Sequence, residues 1–198
     1  MNASLTKRII AYCIDIIIVV IIIMAIGNFI KIPEQTLKLQ STLNKLNDAV
    51  LSDEITFKDY MDGYTNIIYN VDKEKIAFSI LNFIVIFLYF VIVPLITKGK
   101  TCGKYLMKIK VKNKNKDKIN FLGLLIRNFI INGLGYLLIQ MILVNVVKPG
   151  NYFYILTILA IIQILLVIIS VFMVKYRKDK RGLHDIISGT VVINKEVI

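Results

Sequence analysis

The sequence has few of the side chains from which metal sites, disulfides and most catalytic sites are built. It contains two cysteines and one histidine in 198 residues, with no Cys-x-x-Cys or His-Glu-x-x-His spacing. Cys13 lies in an apolar run and Cys102 in a basic segment, so a structural disulfide is not expected. His184 and Asp185 have no serine or cysteine in a nucleophile-elbow context, and residues 99–104 fall one residue short of a P-loop. We therefore expect no metal, no cofactor and no enzymatic activity.

Acidic residues are also scarce. The chain has 13 Asp and Glu against 25 Lys and Arg, which gives a formal charge of +12. No RRM, zinc-finger or helix-turn-helix pattern accompanies the basic stretches, so nucleic acid is not an expected partner. Hydrophobic residues make up 57% of the chain and the mean hydropathy is +0.70, which is too apolar for a soluble domain. The composition indicates a membrane protein whose basic segments face anionic lipid headgroups.

Four apolar runs are long enough to cross a bilayer, which takes about 20 residues of helix. The third run could begin as early as Phe121, with residues 119–128 lying at the interface or entering at a tilt. Residues 148–151 read Lys-Pro-Gly-Asn and predict a tight turn before the fourth run. The predicted fold is a single all-α membrane domain over residues 1–198, a four-transmembrane-helix bundle with spans at residues 9–30, 76–96, 129–147 and 152–174.

The distribution of positive charge orients this predicted bundle. The loop at 97–120 contains nine lysines and the tail at 175–198 six basic residues, whereas the loop at 31–75 has six lysines against eight acidic residues. Lys7 and Arg8 precede the first span. Since basic loops stay on the inner side, we expect both termini in the cytoplasm and the 31–75 loop outside.

The segments between the spans carry signals of their own. Alternation over residues 105–112, a turn at 113–117 and residues 119–121 predict a small cytoplasmic β-hairpin, to which residues 190–193 could add a strand. In the outer loop, apolar residues recur at helical spacing in two stretches, which predicts two amphipathic helices that form either a cap on the bundle or a surface for a partner. These residues are Leu39, Leu43, Leu46 and Val50, then Phe57, Tyr60, Tyr64 and Ile67.

Asp15 is the most informative residue, because at the helical rise it lies about 9 Å inside the first span. An ionised aspartate at the centre of a spanning helix costs about 2.5–3.5 kcal/mol on insertion scales, and a shallower position removes only part of that cost. Asp15 is therefore expected to be partnered, protonated or hydrated. Arg8 and Tyr12 share its helix face, and Arg127 reaches a similar depth if the third helix begins near Phe121. We expect Arg8 or Arg127 to be its partner.

These residues belong to a wider set that resembles the RDD family of bacterial membrane proteins. The family is named for one arginine and two aspartates, which by this resemblance are Arg8, Asp15 and Asp185. The stretch from Asp179 to Thr190, with Leu-His-Asp followed by Gly-Thr, is the sharpest part of the match. The resemblance also rests on the Gly99–Lys104 stretch and Arg127-Asn128. The candidate cluster, functional or structural, comprises Arg8, Asp15, Arg127, Asn128, Asn132, His184 and Asp185.

Two departures from the family pattern stand out. Cys102 occupies a position where the family usually has proline, which affects the stiffness of a turn. A second arginine that often follows Arg127 is missing, which leaves Asp15 fewer candidate partners. The resemblance implies a place in a bacterial plasma membrane and transport of unidentified ligands.

Two functions follow from these observations. In the first, the chain transports a small solute or ion through a polar bundle interior that includes Asp15. In the second, it is a non-catalytic membrane module or regulatory subunit that binds a partner protein or anionic lipid, with Arg8, Asp15 and Asp185 as a structural clamp. Against transport, the Asp15 face of the first helix continues outward without a polar group, so a pore would require a homo-oligomer or a partner membrane protein.

Overall fold

A computed structural model of the chain describes residues 2–30, 33–115 and 119–194. The described residues are mainly helical. The elements follow in this order: α1 (Leu5–Gly27), α2 (Glu34–Leu51), α3 (Phe57–Glu74), α4 (Ile76–Ile96), α5 (Cys102–Leu106), β1 (Ile109–Asn113), α6 (Phe121–Ile131), α7 (Leu134–Val146), α8 (Pro149–Tyr176), α9 (Leu183–Ile187) and β2 (Thr190–Asn194).

Within the described residues, α1, α4 and α8 are long and apolar enough to cross a membrane, and α6 with α7 makes a fourth span if the pair is counted as one. The first span begins at Leu5 rather than at residue 9, because Ser4 caps α1 and its Oγ accepts from the Lys7 N–H at 3.5 Å. The fourth begins at Pro149, where proline fits the first helical turn. The tight turn predicted at 148–151 is therefore mostly helix.

The predicted third span at 129–147 is wrong as a continuous helix. The axes of α6 and α7 are bent by 73° where the two helices meet. Gly133 makes this turn with a φ of +66°, a left-handed conformation that glycine adopts without strain. The break leaves the Ile130 carbonyl to accept a hydrogen bond from Gln163 Nε2 of α8 at 2.6 Å. Since apolar residues continue through both helices, the hydropathy pattern did not reveal the bend.

The two helices predicted in the 31–75 loop are present as α2 and α3. They pack against each other, and α3 also packs along α8. Asp72 on α3 holds this contact, since its Oδ2 accepts from Tyr152 Oη at 2.8 Å and from Gln140 Nε2 at 3.2 Å. These donors come from α8 and α7. The helices of the 31–75 loop are thus fastened to the bundle, as in the predicted cap.

The predicted local hairpin at 105–121 is wrong. β1 pairs antiparallel with the C-terminal strand β2, with Val111 opposite Val192. Asn120, predicted to be in a strand, is instead the N-cap of α6, and its Oδ1 accepts from the Gly123 N–H at 3.1 Å. A capping bond of this kind is available only to a residue that precedes a helix. The predicted turn at 113–117 lies partly outside the described residues.

Both ends of the described chain meet at this sheet. Asn2 bridges to Ile193, and the Ala3 N–H donates to the Val192 carbonyl at 3.0 Å. We call this side of the bundle the termini end, and the side that carries α2 and α3 the loop end. Ala3, Ile109, Val111 and Val192 join the apolar core of the spans here.

Candidate functional site: two buried carboxylates and a basic cavity

Two fully buried aspartates mark the termini end. Asp15 and Asp185 both have no exposed surface. A buried charge is tolerated only when it is paired and hydrogen-bonded. The hydrogen bonds and ion pairs of each carboxylate therefore indicate the roles of the surrounding residues.

Asp185, on α9, lies between two arginines from different spans. Arg8 Nη1 of α1 donates to Asp185 Oδ2 at 2.7 Å, and Arg127 Nη1 of α6 donates to Oδ1. The backbone N–H of Gly182 also donates to Oδ2, at 3.2 Å, as part of the cap of α9. Thr190 Oγ1 lies 3.4 Å from Oδ1. One carboxylate thus joins α1, α6 and the C-terminal segment.

The remaining donors of the arginines hold the C-terminal segment in place. Arg8 Nη2 donates to the Lys180 carbonyl at 2.8 Å. Arg181 Nε donates to the Thr190 carbonyl at 3.0 Å, and its Nη2 donates to the Asp185 carbonyl at 2.9 Å. A guanidinium group carries five donors in a fixed planar geometry, whereas the ammonium group of lysine has three. The segment from 180 to 192 is therefore built around guanidinium groups.

The electrostatics of this site favour an ionised aspartate and a neutral histidine. Burial by itself would raise the pKa of Asp185, but the charges of Arg127 and Arg8 outweigh it and hold the pKa well below its usual range. Burial and, after it, the charge of Arg127 lower the pKa of His184 to about 3. The 3.5 Å contact between His184 Nε2 and Asp185 Oδ1 therefore joins a carboxylate to a neutral imidazole.

The order Ser170, His184, Asp185 resembles a catalytic triad in its connectivity. Ser170 Oγ of α8 hydrogen-bonds to His184 Nδ1, and the same Oγ lies 3.4 Å from the His184 backbone N–H. A triad needs an imidazole that can take up a proton from the serine. Burial and Arg127 make His184 a very weak base, and the arginines already neutralise Asp185. The arrangement fastens the α9 segment to α8.

Asp15 has a different set of partners from the one predicted. Its Oδ1 accepts from Tyr89 Oη at 2.7 Å and from the Gly103 N–H at 2.8 Å, and its Oδ2 accepts from Thr101 Oγ1 at 2.5 Å. The nearest charge is Lys104 Nζ, at 3.9 Å from Oδ2. The expectation that Arg8 or Arg127 pairs with Asp15 is therefore wrong, because both arginines contact Asp185 instead. The proposed clamp of Arg8, Asp15 and Asp185 is two separate sites.

The Gly99–Lys104 stretch owes its composition to this contact. A Cβ on Gly103 would lie 2.1 Å from the Ala11 carbonyl oxygen, so only glycine lets the loop touch α1. Gly99 has a φ of +89°, and a Cβ there would lie 1.9 Å from the Val111 carbonyl oxygen. Thr101 caps α5 while it donates to Asp15. Cys102 then occupies the first helical position, where proline is also well tolerated.

Asn128 and Asn132 serve the helix backbone. Pro94 in α4 has no N–H, so the carbonyl of Phe90, four residues earlier, has no ordinary helical partner. Asn128 Nδ2 donates to that carbonyl at 2.9 Å. Asn132 Nδ2 donates to Asn128 Oδ1 at 2.5 Å, while the buried Asn132 Oδ1 has no protein partner among the described residues. That oxygen remains available to a water or a ligand.

A cavity of about 150 Å³ lies beside these residues, between α1, α6 and α8. Among the described residues, the basic side chains that line it are Arg8, Lys104, Arg127 and His184, and neither buried carboxylate lines it. Burial lowers the pKa of Lys104 to about 8, with Asp15 opposing the shift, so the lysine is mostly charged at neutral pH. Three cations, Arg8, Lys104 and Arg127, line the cavity, whereas the two carboxylates lie behind its wall. The cavity therefore presents positive charge.

The structure brings Arg8, Arg127, His184 and Asp185 together and places Asp15 apart from them. Asn128 and Asn132 lie along the same cavity. Sequence reasoning missed Tyr89, Thr101, Gly103 and Lys104 as the partners of Asp15. The signal was present, since two glycines flank a threonine and precede a lysine directly after a span, but that spacing by itself predicts only a turn.

The fold and the site define a class: a polytopic membrane protein of apolar helices, whose termini end is tied together by buried ion pairs. A family model of the RDD family matches residues 2–189. The chain therefore belongs to the RDD family. No curated protein and no solved structure matches it.

Proposed function

We propose that this protein is a non-catalytic membrane module that binds an anionic group in the cavity at its termini end. The observation that carries the proposal is the charge of the cavity wall: Arg8, Lys104 and Arg127 line it, while Asp15 and Asp185 lie behind. In a low-dielectric site, an excess of cations favours an anion more strongly than it would in water. By the positive-inside rule, this end faces the cytoplasm of a bacterial plasma membrane.

Chemically, the bound group is a phosphate or a carboxylate. Guanidinium groups match the oxygens of both, and a lysine adds a point charge. Asn132 Oδ1, which has no partner among the described residues, can accept a hydrogen bond in the same cavity, and this suits a ligand that also carries a hydroxyl or amine. A homo-oligomer or a partner membrane protein would respond to occupancy of this site.

The proposal is tested by thermal unfolding of the purified full chain in detergent, with sodium phosphate compared with sodium chloride at equal ionic strength. Phosphate should raise the unfolding midpoint, since a ligand at 100 times its Kd stabilises a protein by about 2.7 kcal/mol. Lys104→Met should weaken the apparent affinity about tenfold, which is about 1.4 kcal/mol. Binding should also weaken as the pH rises through about 8, because Lys104 then loses its proton.

Lys178→Met is the matched control, since Lys178 is exposed at the same end of the bundle and does not line the cavity. Each variant is compared with its own midpoint in chloride. Equal phosphate responses of the wild type, Lys104→Met and Lys178→Met would contradict the proposal.

Transport of a small solute is a second candidate, favoured by one observation. The break between α6 and α7 lies beside the cavity, and discontinuous helices are a usual feature of transporter binding sites. Asp15 is a poor carrier of a proton or cation, because three donors and Lys104 already surround its carboxylate. Flux measurements in liposomes separate this candidate from the first.

A further inference from the structure

Three residues that line the cavity are also exposed on the surface of the bundle: Ile9 and Tyr12 on α1, and Val171 on α8, by 46%, 38% and 38%. We call the space between these two helices the gap. These residues lie within helices that are long and apolar enough to span a membrane. The surface they expose would therefore face lipid tails. A ligand can reach the basic wall from the bilayer.

The two walls of the cavity differ in chemistry. One carries Arg8, Lys104 and Arg127, and the other carries apolar side chains. On α8 the apolar lining residues run from Val167 to Val174, about 10 Å along a helix. A purely ionic ligand would use the first wall and leave the second dry and empty. A ligand with a charged head and an apolar chain would use both.

The size of the cavity sets which part of such a ligand is enclosed. Sites for drug-sized molecules hold about 300–1,000 Å³, and a dry engineered cavity of about 150 Å³ holds one benzene. The cavity here, at about 150 Å³, accommodates a headgroup but not a chain. The chain must leave through the gap.

We infer that the ligand is an anionic lipid whose phosphate lies against Arg8, Lys104 and Arg127 and whose acyl chain leaves between α1 and α8. This inference rests on the proposed function and names its ligand. The two arginines share one carboxylate, Asp185, so their charges are not fully neutralised. Among the described residues, Arg8 already donates through Nε, Nη1 and Nη2, whereas Arg127 bonds through Nη1, so Arg127 offers the phosphate more donors than Arg8 does. A buried cluster with more cations than anions lacks a counter-charge, which the lipid phosphate supplies. The site is separate from the exposed lysines of the basic loop, which attract anionic lipid only loosely.

The experiment uses the purified full chain in a neutral detergent with three probes: dioleoylphosphatidylglycerol, dioleoylphosphatidylcholine and sodium phosphate. The unfolding midpoint and the lipid-bound fraction in native mass spectrometry are measured for each. Phosphatidylglycerol should raise the midpoint at a concentration at least tenfold below that of inorganic phosphate, because its chain adds apolar contact. Phosphatidylcholine should have little effect, since its headgroup carries no net negative charge.

Blocking the gap separates this site from other modes of lipid binding. Ile9→Trp should lower the apparent affinity for phosphatidylglycerol at least tenfold and leave the response to inorganic phosphate in place. Val171→Trp makes the same test from the opposite helix, should the first variant fold poorly. Ile21→Trp is the control, because Ile21 is 59% exposed on α1 and does not line the cavity.

The outcomes distinguish the two proposals. If inorganic phosphate stabilises the protein and phosphatidylglycerol does so no better, the lipid inference is wrong and the proposed function stands. If neither anion stabilises it, both are wrong. If phosphatidylglycerol acts equally on the wild type and on both gap variants, the lipid binds the surface lysines and the inference is also wrong.

Discussion

The two buried aspartates of this protein are neutralised in different ways. Asp185 is held by guanidinium groups of Arg8 and Arg127, whereas Asp15 is held by neutral donors with Lys104 at 3.9 Å. Both carboxylates are fully buried. The two sites differ in the number of cations that each carboxylate neutralises. Removing the charge of Asp185 would leave two buried cations without a counter-charge, and removing that of Asp15 would leave at most one.

The two sites also connect different parts of the chain. The Asp185 site ties the C-terminal segment to the first and third spans, and it therefore closes the fold across most of the sequence. The Asp15 site ties α1 to the Gly99–Lys104 loop, which directly follows the second span. Asp185 thus acts as the main fastening of the termini end, and Asp15 positions the loop that brings Lys104 to the cavity.

The largest effect is expected from Asp185→Asn. Arg8 and Arg127 would remain buried without their shared counter-charge, and breaking a buried pair in this way costs about 3–5 kcal/mol. Chemical unfolding in detergent micelles, followed by circular dichroism, measures the loss. Asp179→Asn is the control, because its ion pair with Arg177 is exposed and exposed pairs contribute little to stability. Equal losses in the two variants would show that the Asp185 site is not the main fastening.

A smaller loss is expected from Asp15→Asn. The asparagine Oδ1 can still accept from Tyr89 and the Gly103 N–H, but Thr101 and Lys104 lose a charged acceptor, at about 1.5–3 kcal/mol for a hydrogen bond to a charged group. The same unfolding measurement applies. Asp53→Asn should be neutral, since Asp53 is exposed and its φ of 58° suits asparagine.

Asp15→Asn also sharpens the choice between binding and transport. The variant is reconstituted into liposomes, and proton and ion flux are recorded beside its stability. If the protein binds an anion and Asp15 is structural, the Asp15→Asn variant should be less stable than the wild type and should show no loss of a pH-dependent flux. A variant of unchanged stability that has lost such a flux would make Asp15 a carrier and overturn the interpretation of its site as structural.

The smallest effect is expected from Cys102→Pro. Cys102 is the first residue of α5, and the preceding Thr101 has extended backbone angles that suit a residue before proline. The change should be neutral or stabilise by about 0.4–1 kcal/mol through the unfolded state. Tyr105→Pro is the control on the same short helix, because it removes the bond from the Tyr105 N–H to the Thr101 carbonyl. A clear loss with Cys102→Pro would show that Cys102 does more than begin the helix.

The long apolar runs could be predicted from the sequence because the period and length of a spanning helix are local properties. The same holds for α2 and α3, where Leu43 and Tyr60 lie on regular apolar stripes. The bend at Gly133 could not be predicted, since its stability depends on Gln163 from another span donating to the Ile130 carbonyl. The partner of β1 was ambiguous for the same reason, because two segments had the alternation of a strand.

The site shows the same division. The position of Asp15 within the first apolar run was enough to indicate that its carboxylate needs partners, because burying a charge in a membrane span is costly in any protein. Two tertiary contacts decide which partners Asp15 has. Gly103 approaches α1 closely, and Arg8 and Arg127 both form ion pairs with Asp185 instead. Hydrogen-bond pairing between distant segments depends on distances of a few tenths of an ångström.

By itself, the sequence determined that the chain is an apolar, basic, largely helical membrane protein of the RDD type. Composition, the length of apolar runs and motifs are properties of neighbouring residues in the chain, so they do not depend on the fold. Only the tertiary structure decided that the arginines pair with Asp185, that Asp15 is held by Tyr89, Thr101 and Gly103, and that the basic wall surrounds a cavity. Each of these depends on which residues, far apart in the chain, packing brings within hydrogen-bonding distance.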